Sequence, residues 1–229
     1  MPSKHLNREL EKLNKKLVSN FGDVERMIHL AKDSLCEQKT DLVQGILDSD
    51  HLVDEREVEI EEDCLKILAL HQCVAADLRQ LTTVLKINSD IERIADLACN
   101  IAERAECVHQ YAWFPIPDEL PEMMEKTCLM VRMAFDSVVE ADIKLAEAVI
   151  RLDVAVDQHL LSVLDELREL MKRDTKIIEP SLHCFTAARQ VERIADLAEN
   201  IAEDMIYFID GEIVRHRKNN NDLSEPINE

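Results

Sequence analysis

The sequence predicts an all-α protein made of two tandem three-helix bundles related by pseudo-twofold symmetry. Three observations lead to this prediction: a shortage of turn-forming residues, an internal repeat, and a regular spacing of apolar side chains. The 229 residues include only three glycines and six prolines, too few for the turns of a many-stranded fold. Hydrophobic residues make up 46% of the chain and aromatic residues 3%, so we expect a largely aliphatic core.

The internal repeat relates the two halves of the chain. Residues 91–103 (IERIADLACNIAE) recur as residues 191–203 (VERIADLAENIAE), with eleven of thirteen positions identical at an offset of 100. A second gapless match runs from residues 27–54 onto residues 130–157 at an offset of 103. The change of offset predicts a three-residue length difference in the turn between the second and third helices of the two repeats.

Each repeat is predicted to contain three helices. They lie near residues 6–47, 50–70 and 74–111 in the first repeat, and near residues 119–151, 153–173 and 180–215 in the second. Between the repeats, three prolines within residues 115–121 exclude a continuous helix. We therefore divide the chain into a first repeat, a second repeat and a polar, disordered tail: residues 1–114, 115–217 and 218–229.

The third helix of each repeat carries the clearest apolar seam. Its apolar residues follow one another in steps of three and four, as at the interface of a left-handed helical bundle. In the first repeat they are Val84, Ile87, Ile91, Ile94, Ala98, Ile101, Ala105 and Val108. In the second they are Cys184, Ala187, Val191, Ile194, Ala198, Ile201, Met205 and Phe208. We expect these seams to be buried.

The charge and the cysteines restrict the functional classes. A formal net charge of −20 argues against nucleic acid, because phosphate contacts need clustered Lys and Arg. It permits cation binding, although long helices with solvated acidic faces also account for it. The seven cysteines are odd in number and form no Cys-x-x-Cys pair, so neither a disulfide framework nor a thiolate zinc site is indicated. No apolar run approaches the roughly 20 residues of a membrane span, and we expect a cytoplasmic protein.

Paired carboxylates recur on the third helices. Glu92 with Asp96, and Glu192 with Asp196, stand at i and i+4, about one helical turn apart and outside the seam. Both members of a pair can reach one ion, and oxygen ligands suit Mg, Ca, Mn, ferric iron or Zn. In the alternative interpretation each Asp belongs to a surface ion pair, with Arg93 or Arg193 as its partner.

A second set of paired carboxylates appears at Asp50 with Asp54 and at Asp153 with Asp157. Both pairs stand at the predicted start of a second helix, so the first Asp of each could simply be an N-cap. The second Asp lies a turn further on, where it caps nothing directly. If the second and third helices are antiparallel, the two sets of carboxylates meet across the groove between them.

The sequence shows no catalytic motif. A phosphate-binding glycine loop, a nucleophile elbow and a His-Glu-x-x-His motif are all missing from it. The single Glu-x-x-His, Glu106 to His109, falls short of the two that a ferritin-like di-iron bundle requires. We therefore expect a protein that is not an enzyme.

Two segments resemble the repeated signature of the PhoU family. They are Asp90-Ile91-Glu92-Arg93-Ile94-Ala95-Asp96-Leu97-Ala98-x-Asn100-Ile101-Ala102-Glu103 and the corresponding segment from Ala188 to Glu203. Ala76-Asp77-Leu78-Arg79 and Gly211-Glu212-Ile213-Val214-Arg215-His216 extend the likeness, which runs from about residue 6 to residue 217. The departures are small: Ala95 and Ala195 replace a common glycine, Leu97 and Leu197 replace His or Val, and Cys99 replaces a polar residue.

The resemblance implies a cytoplasmic regulator of phosphate uptake, usually negative, that acts through a phosphate ABC transporter ATPase and its sensor histidine kinase. It implies contact with the membrane only through that transporter, and a homodimer. It also implies metal ions (Fe, Zn, Mn or Mg) held by two ligand sets. These are Asp50, Asp54, Glu92 and Asp96, and Asp153, Asp157, Glu192 and Asp196.

Two other functions compete with this one. A metal-storage protein or metal-dependent enzyme of the helical-bundle kind would need His ligands inside a bundle, whereas the motif carboxylates here are predicted to face outward. A metal-binding helical scaffold without a role in phosphate signalling would keep the acidic faces and lack the partners.

Overall fold

The computed structural model describes residues 4–211, which form six α-helices and, within that range, no β-strand. In chain order the helices are α1 (Lys4–Glu37), α2 (Val43–Leu70), α3 (Ala75–His109), α4 (Glu119–Glu140), α5 (Ile143–Arg173) and α6 (Ile178–Asp210). One-turn 3₁₀ helices precede α2 at Thr40–Leu42 and α6 at Thr175–Ile177. The all-α prediction is confirmed. The predicted tail, residues 218–229, lies outside the described residues.

The ends predicted for the first helix of each repeat are wrong. The sequence places them at residues 47 and 151, whereas α1 ends at Glu37 and α4 at Glu140. The next residue is left-handed in both repeats, with φ of 60° at Gln38 and 51° at Ala141. This conformation stops a helix, but it usually falls on glycine. Because neither residue is glycine, the sequence carries no visible stop signal here.

The starts predicted for the second helices, residues 50 and 153, are wrong for the same reason. The chain turns earlier, and α2 begins at Val43 and α5 at Ile143. At the start of α5, Asp142 is the N-cap, and its Oδ1 accepts a hydrogen bond from the Lys144 backbone N–H at 2.7 Å.

Four residues separate the second and third α-helices in both repeats, but in the second repeat three of them form a 3₁₀ helix, so the non-helical segment is three residues shorter there, as the change of offset predicts. The first repeat has four residues between Leu70 and Ala75. In the second, Asp174 caps a 3₁₀ turn by accepting the Lys176 N–H at 2.9 Å, and α6 follows directly. The end of α6 was predicted at residue 215. It ends at Asp210, followed by Gly211 at φ 74°, and residues 212–215 lie outside the described range.

The proline-rich linker separates α3 from α4 as predicted. Phe114 is nearly fully buried, so this linker contributes to the core. Pro121 stands in the first turn of α4, where its missing N–H leaves no intrahelical hydrogen bond unmade.

The two repeats pack against each other through α3 and α6, which share the most extensive contact between any two helices. Helix α2 packs on the outer side of α3 and α5 on the outer side of α6, while α1 and α4 lie behind this layer. The seam predicted from the sequence is the centre of the core. Ile91, Ile94, Ile101, Val191, Ile194 and Ile201 are all fully buried.

Helices α1 and α4 also join the repeats. Phe21 stacks on Phe135 with ring centroids 4.1 Å apart and an interplanar angle of 9°. Lys32 Nζ lies 2.7 Å from Glu125 Oε2 further along the same pair of helices. Because residue numbers rise along α1 as they fall along α4, the two helices are antiparallel.

Among the helices of residues 4–211, none combines the length and the apolar character that a membrane span requires.

Candidate metal centres

The first carboxylate cluster consists of Asp50 and Asp54 on α2 with Glu92 and Asp96 on α3. Two contacts between backbone and side chain set the antiparallel register of these helices. Asn88 Nδ2 donates to the Glu57 carbonyl oxygen at 2.9 Å, and Cys99 Sγ lies 4.0 Å from the Ile46 carbonyl oxygen. Residues 50–54 therefore lie opposite residues 92–96, and the structure brings together the four residues that the sequence predicts.

The second carboxylate cluster consists of Asp153 and Asp157 on α5 with Glu192 and Asp196 on α6. Helices α5 and α6 pack against each other, and burial followed by the charges of Glu192, Asp153 and Asp157 raises the pKa of Asp196, so these side chains lie close together. Asp153 is buried, Glu192 is half-buried, and Asp157 and Asp196 are exposed. The outward orientation predicted for the motif carboxylates therefore holds for Asp96 and Asp196, whereas Glu92 and Glu192 are partly covered.

Helix capping does not explain the aspartates on α2 and α5. Asp50 lies about two turns inside α2, and Asp153 lies nearly three turns inside α5. Neither can accept a hydrogen bond from the free N–H groups of a first turn. The N-cap interpretation is wrong, and a carboxylate in the middle of a helix with a largely covered side chain needs another role.

The electrostatics of the first cluster are those of crowded, unpaired carboxylates. Burial, followed by the charges of Asp54 and Asp96, raises the pKa of Asp50. Burial, followed by the charges of Asp96 and Asp54, raises the pKa of Glu92. Asp50 Oδ1 is buried and has no hydrogen-bond partner. Within residues 4–211, no Lys or Arg forms an ion pair with any of these four residues.

Carboxylates are also crowded in the second cluster, where Glu192 pairs with an arginine. Burial, together with Glu192, Asp153 and Asp157, raises the pKa of Asp196 to about 6. Burial also raises the pKa of Glu192, while the positive charge of Arg189 opposes the rise. Arg189 Nη1 donates to Glu192 Oε1 at 3.0 Å, and Glu192 Oε2 is buried without a hydrogen-bond partner.

The arginines proposed from the sequence as partners of Asp96 and Asp196 are engaged elsewhere. Arg93 Nη1 lies 3.8 Å from Asp90 Oδ1, and Arg193 Nη1 donates to Gln190 Oε1 at 3.3 Å. The ion-pair interpretation of the two Asp residues is therefore wrong. A different arginine, Arg189, pairs with a cluster carboxylate, that of Glu192 three residues further along α6.

Sequence reasoning also missed two neighbours of the first cluster. Glu57 adds a fifth carboxylate, whose charge raises the pKa of Glu92. The Cys99 thiol lies beside the Asp50 carboxylate, and burial together with the Asp50 charge raises its pKa to about 12. The signal for Glu57 was its position one turn after Asp54, and the signal for Cys99 was its place inside the repeated motif.

The donor sets fit a hard or borderline cation. Each cluster supplies four carboxylates, and Asp50 Oδ1 and Glu192 Oε2 are buried acceptors with lone pairs that nothing satisfies. Within residues 4–211, no three His, Cys, Asp or Glu side chains already converge in an arrangement that would hold an ion. Binding of an ion would therefore require rotation of the exposed Asp side chains.

His109, the histidine of the single Glu-x-x-His motif, makes a contact that joins two helices. His109 Nε2 lies 2.6 Å from the Ser34 carbonyl oxygen, which ties the end of α3 to the end of α1. Two other histidines link helices through carboxylates, with His71 2.7 Å from Glu9 and His159 2.6 Å from Glu119.

Comparison with known proteins identifies relatives of this chain by sequence and by fold. The sequence model of the PhoU domain matches residues 19–105 and again residues 120–205, one match in each repeat. The phosphate-specific transport system accessory protein PhoU homolog of Pseudomonas putida is 34% identical over 215 residues, covering 93% of this chain and 84% of that protein.

Two further relatives agree with this match. The phosphate-specific transport system accessory protein PhoU of Escherichia coli K12 is 30% identical over 214 residues, which cover 93% of this chain and 89% of that protein. The crystal structure of PhoU from Pseudomonas aeruginosa superposes with a TM-score of 0.85 at 32% identity, covering 90% of this chain and 99% of that one.

Proposed function

This chain belongs to the PhoU family, and from that premise we propose that it is a negative regulator of phosphate uptake and of the phosphate-starvation response. It acts as an adaptor between a phosphate ABC transporter and the associated sensor histidine kinase, and it is not an enzyme. The observation that carries the proposal is the double match to the PhoU domain, which covers both helical repeats. The curated relatives that share most of its length are named as accessory proteins of the phosphate-specific transport system.

The metal sites are the second part of the proposal. The first carboxylate cluster and the second carboxylate cluster each bind Fe, Zn, Mn or Mg through Asp and Glu oxygens. A bound cation would neutralise charges that now repel one another and would satisfy the buried oxygens of Asp50 and Glu192. Asp54, Asp96, Asp157 and Asp196 are exposed, so bound ions would lie at the protein surface.

The partners and the location follow from the same premise. We propose that the transporter ATPase and the sensor histidine kinase are the direct contacts, and that the protein works in the cytoplasm as a homodimer. Affinity purification from phosphate-replete cells should recover both partners. Sedimentation of the purified protein at several concentrations tests the dimer, and a single species with the 26.3 kDa mass of the monomer would contradict it.

The regulatory role is tested by deleting the gene in its native host. Deletion should switch on phosphate-starvation genes in phosphate-rich medium, and the intact gene supplied in trans should restore repression. Full repression in the deletion strain would overturn the proposed function.

A matched pair of complementing variants separates the carboxylate clusters from general loss of charge. The double variant Asp96→Asn, Asp196→Asn removes one ligand from each cluster. The control, Asp136→Asn, Asp165→Asn, removes the same charge at exposed positions outside both clusters. We expect the control to restore repression fully and the cluster variant to restore it poorly. If both variants restored repression equally, the carboxylate clusters would not be needed for regulation.

The alternative of a metal-binding scaffold without a role in phosphate signalling shares the fold and the clusters. It is less favoured because the relatives that cover most of this chain are named for phosphate transport. A deletion strain that keeps normal repression, together with metal bound to the purified protein, would favour the scaffold.

A further inference from the structure

One exposed position that differs between the two repeats lies beside the motif Glu of each cluster. The offset of 100 that relates α3 to α6 pairs Ser89 with Arg189. Both side chains stand on the outer surface, one turn before the motif Glu of their helix. Because this position is exposed, exchanging Ser for Arg there changes the charge beside the cluster and leaves the core unchanged.

Arg189 occupies a ligand of the second cluster. Its Nη1 donates to Glu192 Oε1 at 3.0 Å, with 47% of the Arg189 side chain exposed and 15% of the Glu192 side chain exposed. One oxygen of Glu192 is thereby committed to a cation that belongs to the protein. An incoming metal ion has to displace the guanidinium from this oxygen or bind beside its positive charge.

The first cluster has no such competitor. Ser89 is neutral and too short to reach across a turn as Arg189 does, and within the described residues no Lys or Arg pairs with Glu92. The first cluster also has a fifth carboxylate, Glu57, where the offset of 103 places the apolar Leu160 in the second repeat. In the second repeat Glu199 replaces Cys99, which lies beside Asp50 in the first, so each repeat has one additional carboxylate and the charge difference between the clusters rests on Arg189.

We propose that the two sites are unequal and fill in order, the first cluster binding a divalent cation more tightly because Arg189 occupies Glu192 in the second. This inference rests on the proposed metal sites and adds which of them is loaded first and which residue decides it. Arg189 acts on the metal only through Glu192 and through its charge, so it is a positioning residue. The second site then binds metal only when the metal concentration is high enough to displace Arg189 from Glu192.

The difference in metal affinity between the two sites is small because Arg189 is partly exposed to solvent. A partly exposed ion pair and the repulsion between a guanidinium and a divalent cation nearby each change binding by a small factor. Together they make the second site weaker on the order of tenfold.

Reciprocal substitutions test the inference in the full-length, chelator-stripped protein, with Mn²⁺ as the titrant. Asp157→Asn with Asp196→Asn leaves only the first site, and Asp54→Asn with Asp96→Asn leaves only the second. Into the second-site protein we introduce Arg189→Ser, and into the first-site protein Ser89→Arg. Calorimetry gives the affinity of each, and thermal unfolding without metal checks that every variant is folded.

We expect Arg189→Ser to tighten the second site about tenfold and Ser89→Arg to weaken the first. Arg189→Lys keeps the charge and should leave the second site weak, which a purely structural role of the arginine would not do. Equal affinities of the two sites, or reciprocal variants without effect, would overturn this inference while the proposed metal binding stands. Absence of Mn²⁺ binding to the parent protein would overturn both.

Discussion

Ile94 and Glu103 stand nine residues apart on α3 and experience opposite environments. The Ile94 side chain is fully buried at the centre of the core, whereas Glu103 is exposed on the acidic face. Truncating Ile94 to Ala removes buried methylene and methyl groups and leaves a cavity, so we expect a loss of roughly 2–5 kcal/mol of unfolding free energy. Glu103→Ala should change it by no more than about 0.5 kcal/mol. Denaturant unfolding measures both, and similar losses would contradict the seam assignment.

Asp196 gives the metal-free protein a predictable response to pH. Burial and its carboxylate neighbours raise its folded-state pKa to about 6 from an ordinary 3.8, so the folded state holds this proton more tightly than the unfolded state. Folding stability should therefore rise as the pH falls from 7.5 to 5. Because Asp196 is exposed and screened by solvent, its share is only about 1 kcal/mol.

Replacing Asp196 by Asn should stabilise the metal-free protein at pH 7.5 and flatten this pH dependence. Asp165→Asn removes a carboxylate whose side chain is 73% exposed and serves as the control, with little change expected. Unfolding curves recorded at several pH values give the unfolding free energy of the parent protein and of both variants. Stability that falls steadily from pH 7.5 to pH 5 in the parent protein would contradict the account.

The residues of the candidate sites could largely be predicted from the sequence. The repeat and the i, i+4 spacing of like charges identified all eight carboxylates, because both are local patterns. The role of Arg189 was missed. Arg189 contacts Glu192 whereas Arg193 contacts Gln190, and side-chain conformation decides these contacts. The contributions of Glu57 and Cys99 depend on how α2 packs against α3, which no local pattern records.

At the scale of whole helices, the left-handed residue after α4 costs stability that the fold tolerates. Ala141 has φ of 51°, a conformation that is roughly 1 kcal/mol less favourable for alanine than for glycine. Ala141→Gly should therefore stabilise the protein by about 0.5–1 kcal/mol. Ala155→Gly, in the middle of α5, is the matched control and should destabilise it by a similar amount. Stabilisation by both, or by neither, would show that the cap conformation is not the cause.

Helix existence and order followed from periodicity and from the positions of Pro and Gly, whereas the four helix ends between α1 and α2 and between α4 and α5 did not. The predicted helices ran through Gln38 and Ala141 because the apolar spacing continues on both sides of these residues. The break arises where α1 and α2, or α4 and α5, reverse direction to bury their apolar faces on α3 or α6. Tertiary packing decides these ends, and it overrides local propensity.

At the scale of the whole molecule, the contacts between repeats predict one cooperative unfolding transition. Phe135 on α4 stacks on Phe21 of α1 and joins the two repeats. Phe135→Ala should cost roughly 3–5 kcal/mol and lower the melting temperature of the entire protein, with a single transition retained. Leu161→Ala, at a position 64% exposed, is the control and should have little effect. Two separate transitions in the parent protein would mean that the repeats fold independently.

The same architecture places both carboxylate clusters in outer grooves, between α2 and α3 and between α5 and α6, on either side of the central pair. A protein that keeps eight carboxylates crowded in this way gives up stability unless a cation neutralises them. We propose above all that these clusters are the metal sites of this PhoU-family protein.

Calorimetric titration of the chelator-stripped protein with Mn²⁺, Zn²⁺ and Mg²⁺ tests that claim most directly. The parent protein and the control Asp136→Asn, Asp165→Asn should bind at least one of these ions, and Asp96→Asn, Asp196→Asn should bind it at least tenfold more weakly. The control matters because it removes the same charge from outside the clusters. Binding that is absent from the parent protein, or unchanged in the cluster variant, would contradict the account.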